Sequence, residues 1–118
     1  MARGEALERV EREIQKEKAE ALGRVGERLA ALLARLRDLG RRIDELERAL
    51  EGGGGESGGD ARLQEEVERF NRLREGAIRL SHDLVIQREA VGFRRHAWLA
   101  EGYPIPPRRV SPPGGSPP

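Results

Sequence analysis

One row of side chains in this sequence has the residue types that bind metal ions. The row repeats every seven residues and consists of Glu75, His82, Glu89 and His96. Seven residues of helix rise about 10 Å, whereas the ligands of one zinc ion lie about 2 Å from it. We therefore expect no metal site within one chain, although a dimer could bring a histidine of one copy to a glutamate of the other.

The sequence lacks cysteine and the common motifs of metal-binding and phosphate-binding sites. It contains no cysteine, and neither the Glu-x-x-His pattern of di-iron bundles nor His-Glu-x-x-His occurs in it. The glycine-rich segment 52–59 follows a predicted helix and lacks the Lys-Ser or Lys-Thr pair of a phosphate-binding loop. These observations predict a protein that is not an enzyme and that has no catalytic residue, metal or cofactor.

Clustered arginines form a candidate binding site for phosphate groups. They stand at 34–42 and 71–79, two segments that an antiparallel hairpin sets side by side, with Asp38 and Glu75 as the opposing acids. This arginine belt consists of Arg35, Arg37, Arg41, Arg42, Arg72, Arg74 and Arg79. Guanidinium groups neutralise nucleic-acid phosphates, but more often they form a solvated helix face. Because no zinc pattern or nucleic-acid-reading motif accompanies the belt, nucleic-acid binding is kept as an alternative function.

Two amphipathic segments, 5–51 and 60–101, position all of these residues. Their apolar residues recur at steps of three and four, which is typical of coiled-coil helices. When the chain is folded back at its glycines, the apolar residues pair in one constant register. The pairs are Leu50 with Leu63, Leu46 with Val67, Ile43 with Phe70, Leu36 with Ala77, Leu29 with Leu84 and Leu22 with Val91. The pattern predicts an all-α fold, a two-helix antiparallel coiled-coil hairpin.

The chain is expected to have four parts. They are helix 1 at 1–51, a flexible glycine-rich linker at 52–59, helix 2 at 60–101 and a proline-rich tail at 102–118. Proline lacks the backbone donor that helices and central strands need, so the tail is predicted to be extended or disordered. Tyr103 and Ile105 are expected to fold back on Trp98 or Leu99.

Helix 2 carries more apolar residues than one partner helix can cover. A second apolar stripe of Ile78, Val85 and Leu99, with Ile86 and Phe93 nearby, runs beside the first. The candidate partner-binding residues are these five and Trp98. Because a lone pair of helices buries little surface, we expect these residues to bind a partner. The favoured partner is a second copy, in a homodimeric four-helix bundle, and the other is an amphipathic helix of a different protein.

The apolar seam of helix 1 is weakest near its N-terminus. Between Ile14 and Leu22 the apolar steps are four and four, with the polar Lys18 at the slip, and Gly23 and Gly26 follow. A changed step unwinds a supercoil, and each glycine costs about 1 kcal/mol relative to alanine inside a helix. We expect this part of the helix to be loosely held, and the open end of the hairpin, opposite the glycines, to receive a partner.

Composition and charge narrow the class of protein. The formal net charge is +1 and 36% of the residues are charged. No apolar run approaches the roughly 20 residues that span a bilayer, and the charged N-terminus lacks the apolar core of a signal peptide. A cytoplasmic protein without membrane contact is expected, and the predominance of Arg over Lys suggests a bacterial origin. The predicted function is that of a coiled-coil interaction or adaptor protein.

The hairpin is similar in geometry to the coiled-coil arm of transcription factors that insert into the secondary channel of RNA polymerase. Those arms carry acidic residues at the tip, and here Glu51, Glu56 and Asp60 surround the turn. The resemblance implies a regulator with an acidic-tipped arm, which is the second alternative function. This chain differs from that pattern because its turn is rich in glycine, whose conformational freedom opposes rigid placement of carboxylates.

Overall fold

The computed structural model describes residues 2–53 and 58–110, with the side chains of Ala2 and Trp98 outside that description. Its helices are α1 at Ala2–Glu51, α2 at Gly59–Ala90 and α3 at Ala97–Gly102. No strand occurs in these described residues. Because α1 packs along α2, the body is a rod of 79 × 22 × 21 Å. The predicted all-α helical hairpin is confirmed.

The core is a ladder of apolar side chains between α1 and α2. The largest fully buried members are Phe70, Leu29, Leu36, Ile43 and Leu63. Heptad spacing sets these residues on one stripe of each helix, so both stripes can face each other along the hairpin. Burying one such side chain contributes about 1.5–3 kcal/mol, and this ladder is therefore the main source of the hairpin's stability.

Close approaches between the helices give the antiparallel register. A methyl group placed on Gly76 of α2 would lie 3.5 Å from Leu32 Cδ2, and one placed on Gly40 of α1 would lie 3.6 Å from Phe70 Cε2. Later residues of α1 therefore face earlier residues of α2. This is the direction of pairing that the apolar pattern predicts.

The two helices of the hairpin differ in length. The predicted second helix runs over 60–101, whereas α2 ends at Ala90 and the chain then turns. α1 is continuous from Ala2 to Glu51 and runs through Lys18, Gly23 and Gly26 without a break. As a result α1 extends past the end of α2, and every side chain from 3 to 20 is exposed. We call residues 3–20 the arm.

After α3 the chain returns along the hairpin. Tyr103 and Ile105 pack against the core, and the Tyr103 N–H donates to Leu99 O at 2.7 Å. The buried Gly26 of α1 leaves room for this approach, since a methyl group there would lie 3.3 Å from the Tyr103 hydroxyl. The sequence predicts contact with Trp98 or Leu99, whereas Ile105 lines a groove with Leu36 and Phe70. We call residues 103–110 the docked segment. The rest of the predicted tail, 111–118, and linker residues 54–57 lie outside the described residues.

Candidate interaction surface

The chain leaves α2 through a Schellman motif, a helix ending that uses a left-handed residue. Gly92 has φ 100°. Its N–H donates to Glu89 O at 3.0 Å, and the Phe93 N–H donates to Arg88 O at 2.9 Å. A side chain at position 92 would be strained in this conformation, whereas glycine adopts it readily. The motif fixes the end of α2 and reverses the chain toward α3. We call residues 91–96 the corner.

Arg88 holds the corner from the last turn of α2. Its Nε donates to His96 Nδ1 at 3.2 Å, and its Nη2 donates to Arg95 O at 3.1 Å. The guanidinium carbon lies 4.5 Å from the centroid of the Phe93 ring. Arg88 is only 7% exposed, and a buried charge is tolerated only with such partners because its desolvation is costly. The side chain thus ties the corner to α2.

The corner also brings together two members of the predicted Glu–His row. His96 Nε2 lies 3.3 Å from Glu89 Oε1, whereas Glu75 and His82 are exposed. The chain reversal at Gly92 produces this approach, and heptad spacing does not. Within residues 2–53 and 58–110, no group of three or more His, Asp or Glu side chains is arranged to bind a metal ion.

Two side chains of α2 hold the backbone of the docked segment. Asn71 Nδ2 donates to Arg109 O at 2.9 Å, and Asn71 Oδ1 accepts the Arg109 N–H at 2.9 Å. Arg74 Nε donates to Pro106 O at 2.8 Å. Prolines lack an N–H and have a restricted φ, so a proline-rich segment leaves few donors to satisfy and loses little freedom on docking. These bonds fix the position of the segment along α2.

Arg109 fastens the docked segment to α1 as well. Its Nη1 donates to Asp44 Oδ1 at 2.7 Å, and its guanidinium carbon lies 5.3 Å from the centroid of the Phe70 ring. The space is provided by Gly40, where a methyl group would lie 3.0 Å from Arg109 Nη2. Arg109 therefore joins the segment to both long helices.

The second apolar stripe is partly covered by the chain itself. Leu99 is buried in the core, Val85 packs against the core and Ile78 is half-buried. Ile86 and Phe93 remain exposed, at 64% and 49%. The side chain of Trp98 lies outside the described residues. Leu99 of α3 is therefore part of the hairpin's own core, whereas the sequence predicts that it contacts a partner.

Four members of the arginine belt line two depressions of the hairpin. Arg37 and Arg41 border a groove of about 440 Å³ beside the docked segment, whereas Arg35 and Arg42 line another depression beside Leu73. The exposed members are Arg35, Arg37, Arg41, Arg42, Arg72 and Arg79. Arg41 pairs with Asp38, and Arg74 is half-buried against Pro106. Arg74 therefore helps to hold the docked segment in place, and nucleic-acid binding by the other arginines of the belt stays a prediction.

The acidic residues at the turn are only partly described. Glu51 and Asp60 are exposed, and Glu56 lies outside the described residues. A regulatory role for an acidic tip stays a prediction.

The arm presents an apolar stripe beyond the end of α2. Leu7, Val10 and Ile14 are 60%, 50% and 44% exposed. Their spacing of three and four residues sets them on one face of α1, as in a helix that packs against another helix. Two more large apolar side chains are exposed near this end of the hairpin: Ile86, late in α2, and Phe93, at the corner.

Sequence reasoning missed three residues that organise this surface: Arg88, Asn71 and Arg109. Each binds through side-chain contacts to residues that are distant along the chain or lie beyond a turn. One signal for the corner was present, because a glycine soon after a run of helical residues is typical of a helix C-terminus. No comparable local signal marks Asn71 as the partner of Arg109.

No helix in the described part of the chain is long and apolar enough to cross a membrane. In comparisons with known proteins, no family model, no curated protein and no solved structure matches this chain.

Proposed function

We propose that this chain is a non-enzymatic interaction protein that acts through helix–helix contacts at the open end of its hairpin. The observation that carries the proposal is the stripe of Leu7, Val10 and Ile14, which are 60%, 50% and 44% exposed. Apolar side chains at this spacing are typical of a helix that lies against a partner helix. In this account the hairpin is the support and the arm is the contact surface.

The charges of the arm favour a helix before any partner arrives. Glu5 and Arg9, and Glu8 and Arg12, stand four residues apart with the acid first. Such pairs stabilise an isolated helix by about 0.2–0.5 kcal/mol each. A segment that is already partly helical loses less conformational freedom on binding than an unfolded segment does, so these pairs favour association.

The remainder of the open end supports the same interpretation. Ile86 in the last turns of α2 and Phe93 in the corner are exposed, while Leu99 and Val85 are taken up by the chain's own core. A partner helix on the arm could therefore extend its contacts onto the end of the hairpin.

Photo-cross-linking tests the location of the contact. A photoreactive amino acid at position 14 is expected to give discrete protein adducts in cells that produce the protein. The same residue at position 49, which is also exposed on α1, is the matched control and is expected to give none. The additional substitution Leu7→Ser should reduce the adducts, because it removes part of the apolar stripe.

The opposite pattern would contradict the proposal. Equal adducts at positions 14 and 49, or none at position 14 and at a second arm position, 10, would show that the arm is not a contact surface. The mass of the adduct separates a second copy of this chain from a different protein.

A further inference from the structure

We propose that the groove beside the docked segment binds a small molecule that joins an apolar body to one anionic group, with Arg37 as its main charged contact. The groove has a volume of about 440 Å³ and lies between the middle of α1 and the docked segment. Binding sites for small molecules commonly have volumes of about 300–1,000 Å³, apolar walls and a few polar groups. Leu33 in this groove lies about 28 Å of helix beyond Ile14 of the arm, so the site is distinct from the contact surface of the proposed function.

Apolar side chains from both long helices and from the docked segment line the groove. Its base consists of three buried residues, Leu33, Leu36 and Phe70. The docked segment supplies a wall of three residues that are not fully buried, Pro104, Ile105 and Pro106. Because this wall keeps apolar surface in contact with water, a ligand with an apolar body would be stabilised by covering it.

The charged side chains of the groove favour an anion. Arg37, Arg41 and Asp44 stand at steps of four and three along one side of α1, and Arg109 enters from the docked segment. Three guanidinium groups and one carboxylate therefore line the groove. Asp44 already accepts a hydrogen bond from Arg109 Nη1 at 2.7 Å. That pair neutralises itself, so the charges of Arg37 and Arg41 determine the sign of the groove.

Arg37 is the cation best placed to bind the anionic group. Arg41 pairs with Asp38, whereas Arg37 makes no ion pair within residues 2–53 and 58–110. A ligand at Arg37 therefore does not have to displace a carboxylate of the protein. A guanidinium can donate two parallel hydrogen bonds to a carboxylate, and the attraction is stronger beside apolar surface than in open water.

The combination of one available cation with an apolar wall selects the class of ligand. A nucleic-acid backbone offers many phosphates but little apolar surface for the wall of Pro104, Ile105 and Pro106. An uncharged apolar molecule would cover the wall but leave Arg37 without a partner. A molecule with an apolar body and a single carboxylate matches both features of the groove.

Methyl NMR of the full chain, titrated with naphthalene-2-carboxylate, tests the site and the class of ligand. Saturable shifts are expected for the methyl signals of Leu33, Leu36 and Ile105, without comparable shifts for Leu7 and Ile14 of the arm. Naphthalene-2-carboxamide is a neutral analogue of similar shape. It should bind about tenfold more weakly, because it cannot form the charge-assisted hydrogen bonds to Arg37.

Two matched variants test the assignment of Arg37. Arg37→Gln removes the charge and should weaken the binding of naphthalene-2-carboxylate about tenfold, with little effect on the carboxamide. Arg35→Gln is the control, because Arg35 is an exposed arginine of α1 that lines the other depression. It should leave the binding of both ligands unchanged. Circular dichroism checks that both variants fold like the parent.

Four outcomes would overturn the inference. A chain that shows no saturable shift with naphthalene-2-carboxylate has no such site, and shifts confined to Leu7 and Ile14 would place the ligand on the arm. Equal affinity for the carboxylate and the carboxamide would remove the anionic group from recognition. Equal weakening by Arg35→Gln and Arg37→Gln would reflect general charge rather than contact with the groove. Photo-cross-linking at position 14 tests the arm separately, so either proposal can fail alone.

Discussion

Replacing Phe70 with alanine is expected to lower the free energy of unfolding by about 3–5 kcal/mol, the usual cost of removing a fully buried aromatic ring. Phe70 is 1% exposed at the centre of the hairpin, and its ring also lies beneath the guanidinium of Arg109. The substitution therefore removes core packing and part of the support of the docked segment together. Small domains have a total stability of only about 5–15 kcal/mol, so this variant should be largely unfolded under mild denaturing conditions.

Phe93→Ala is the matched control for this prediction. Phe93 is 49% exposed at the corner, and its ring lies against the guanidinium of Arg88. Its loss is expected to cost about 1 kcal/mol or less. Urea unfolding followed by circular dichroism measures both variants. Equal losses of stability would contradict the placement of Phe70 in the core and of Phe93 at the surface.

Replacing Arg88 with alanine is expected to lower the free energy of unfolding by about 2–3 kcal/mol and to release the corner. The substitution leaves His96 Nδ1 and Arg95 O without the donors that Arg88 supplies, and it uncovers the ring of Phe93. Because Arg94 and Arg95 are exposed within the corner, cleavage by trypsin after them should become about tenfold faster as local opening becomes more favourable.

Two further variants separate the role of Arg88 from a general effect of charge. Arg88→Lys keeps the charge but cannot make the forked contacts of a guanidinium, so it should also speed cleavage at the corner. Arg79→Ala removes an exposed arginine from the same helix, and it should change neither stability nor cleavage. If Arg88→Lys behaved like the parent, charge alone would suffice and the described geometry would be wrong.

The hairpin could be predicted because its information is local and repetitive. Leu29, Leu36 and Ile43 follow a seven-residue spacing, and Leu84, Ala77 and Phe70 mirror it after the glycine-rich turn. An antiparallel arrangement buries both stripes, and all six of these residues are buried in the structure. Such a repeat can be recognised from the sequence alone, without knowledge of contacts between residues that are distant along the chain.

The end of α2 could not be read from periodicity, because the apolar pattern continues past it. Val91, Phe93 and Leu99 extend the apolar spacing beyond Ala90, and this continuation favoured one helix over 60–101. The left-handed conformation of Gly92 and the bonds of Arg88 decide the outcome instead. The glycine was a signal, but glycines at 23, 26, 40 and 76 stand inside helices, so a glycine alone does not mark a helix end.

The course of the tail depends on contacts between distant residues. Its prolines predict an extended chain, and Tyr103 and Ile105 were expected to fold back on Trp98 or Leu99, not to follow the hairpin to its middle. The pairing of the Asn71 amide with the Arg109 backbone joins residues 38 positions apart, and no local pattern announces it. For the same reason the sequence could not show that Leu99 lies in the core while Ile86 stays exposed.

The central claim is that, within residues 2–53 and 58–110, nothing packs against the arm, while the rest of the hairpin is held by its core and side-chain hydrogen bonds. Amide hydrogen exchange, measured at a concentration where the protein is monomeric, tests this claim residue by residue. The account predicts fast exchange for residues 3–20, because an isolated helix of this length is marginal in water. Strong protection is predicted for 29–43 and 63–84, and for the Arg109 N–H. Protection of the arm equal to that of the hairpin in the monomer would contradict the account.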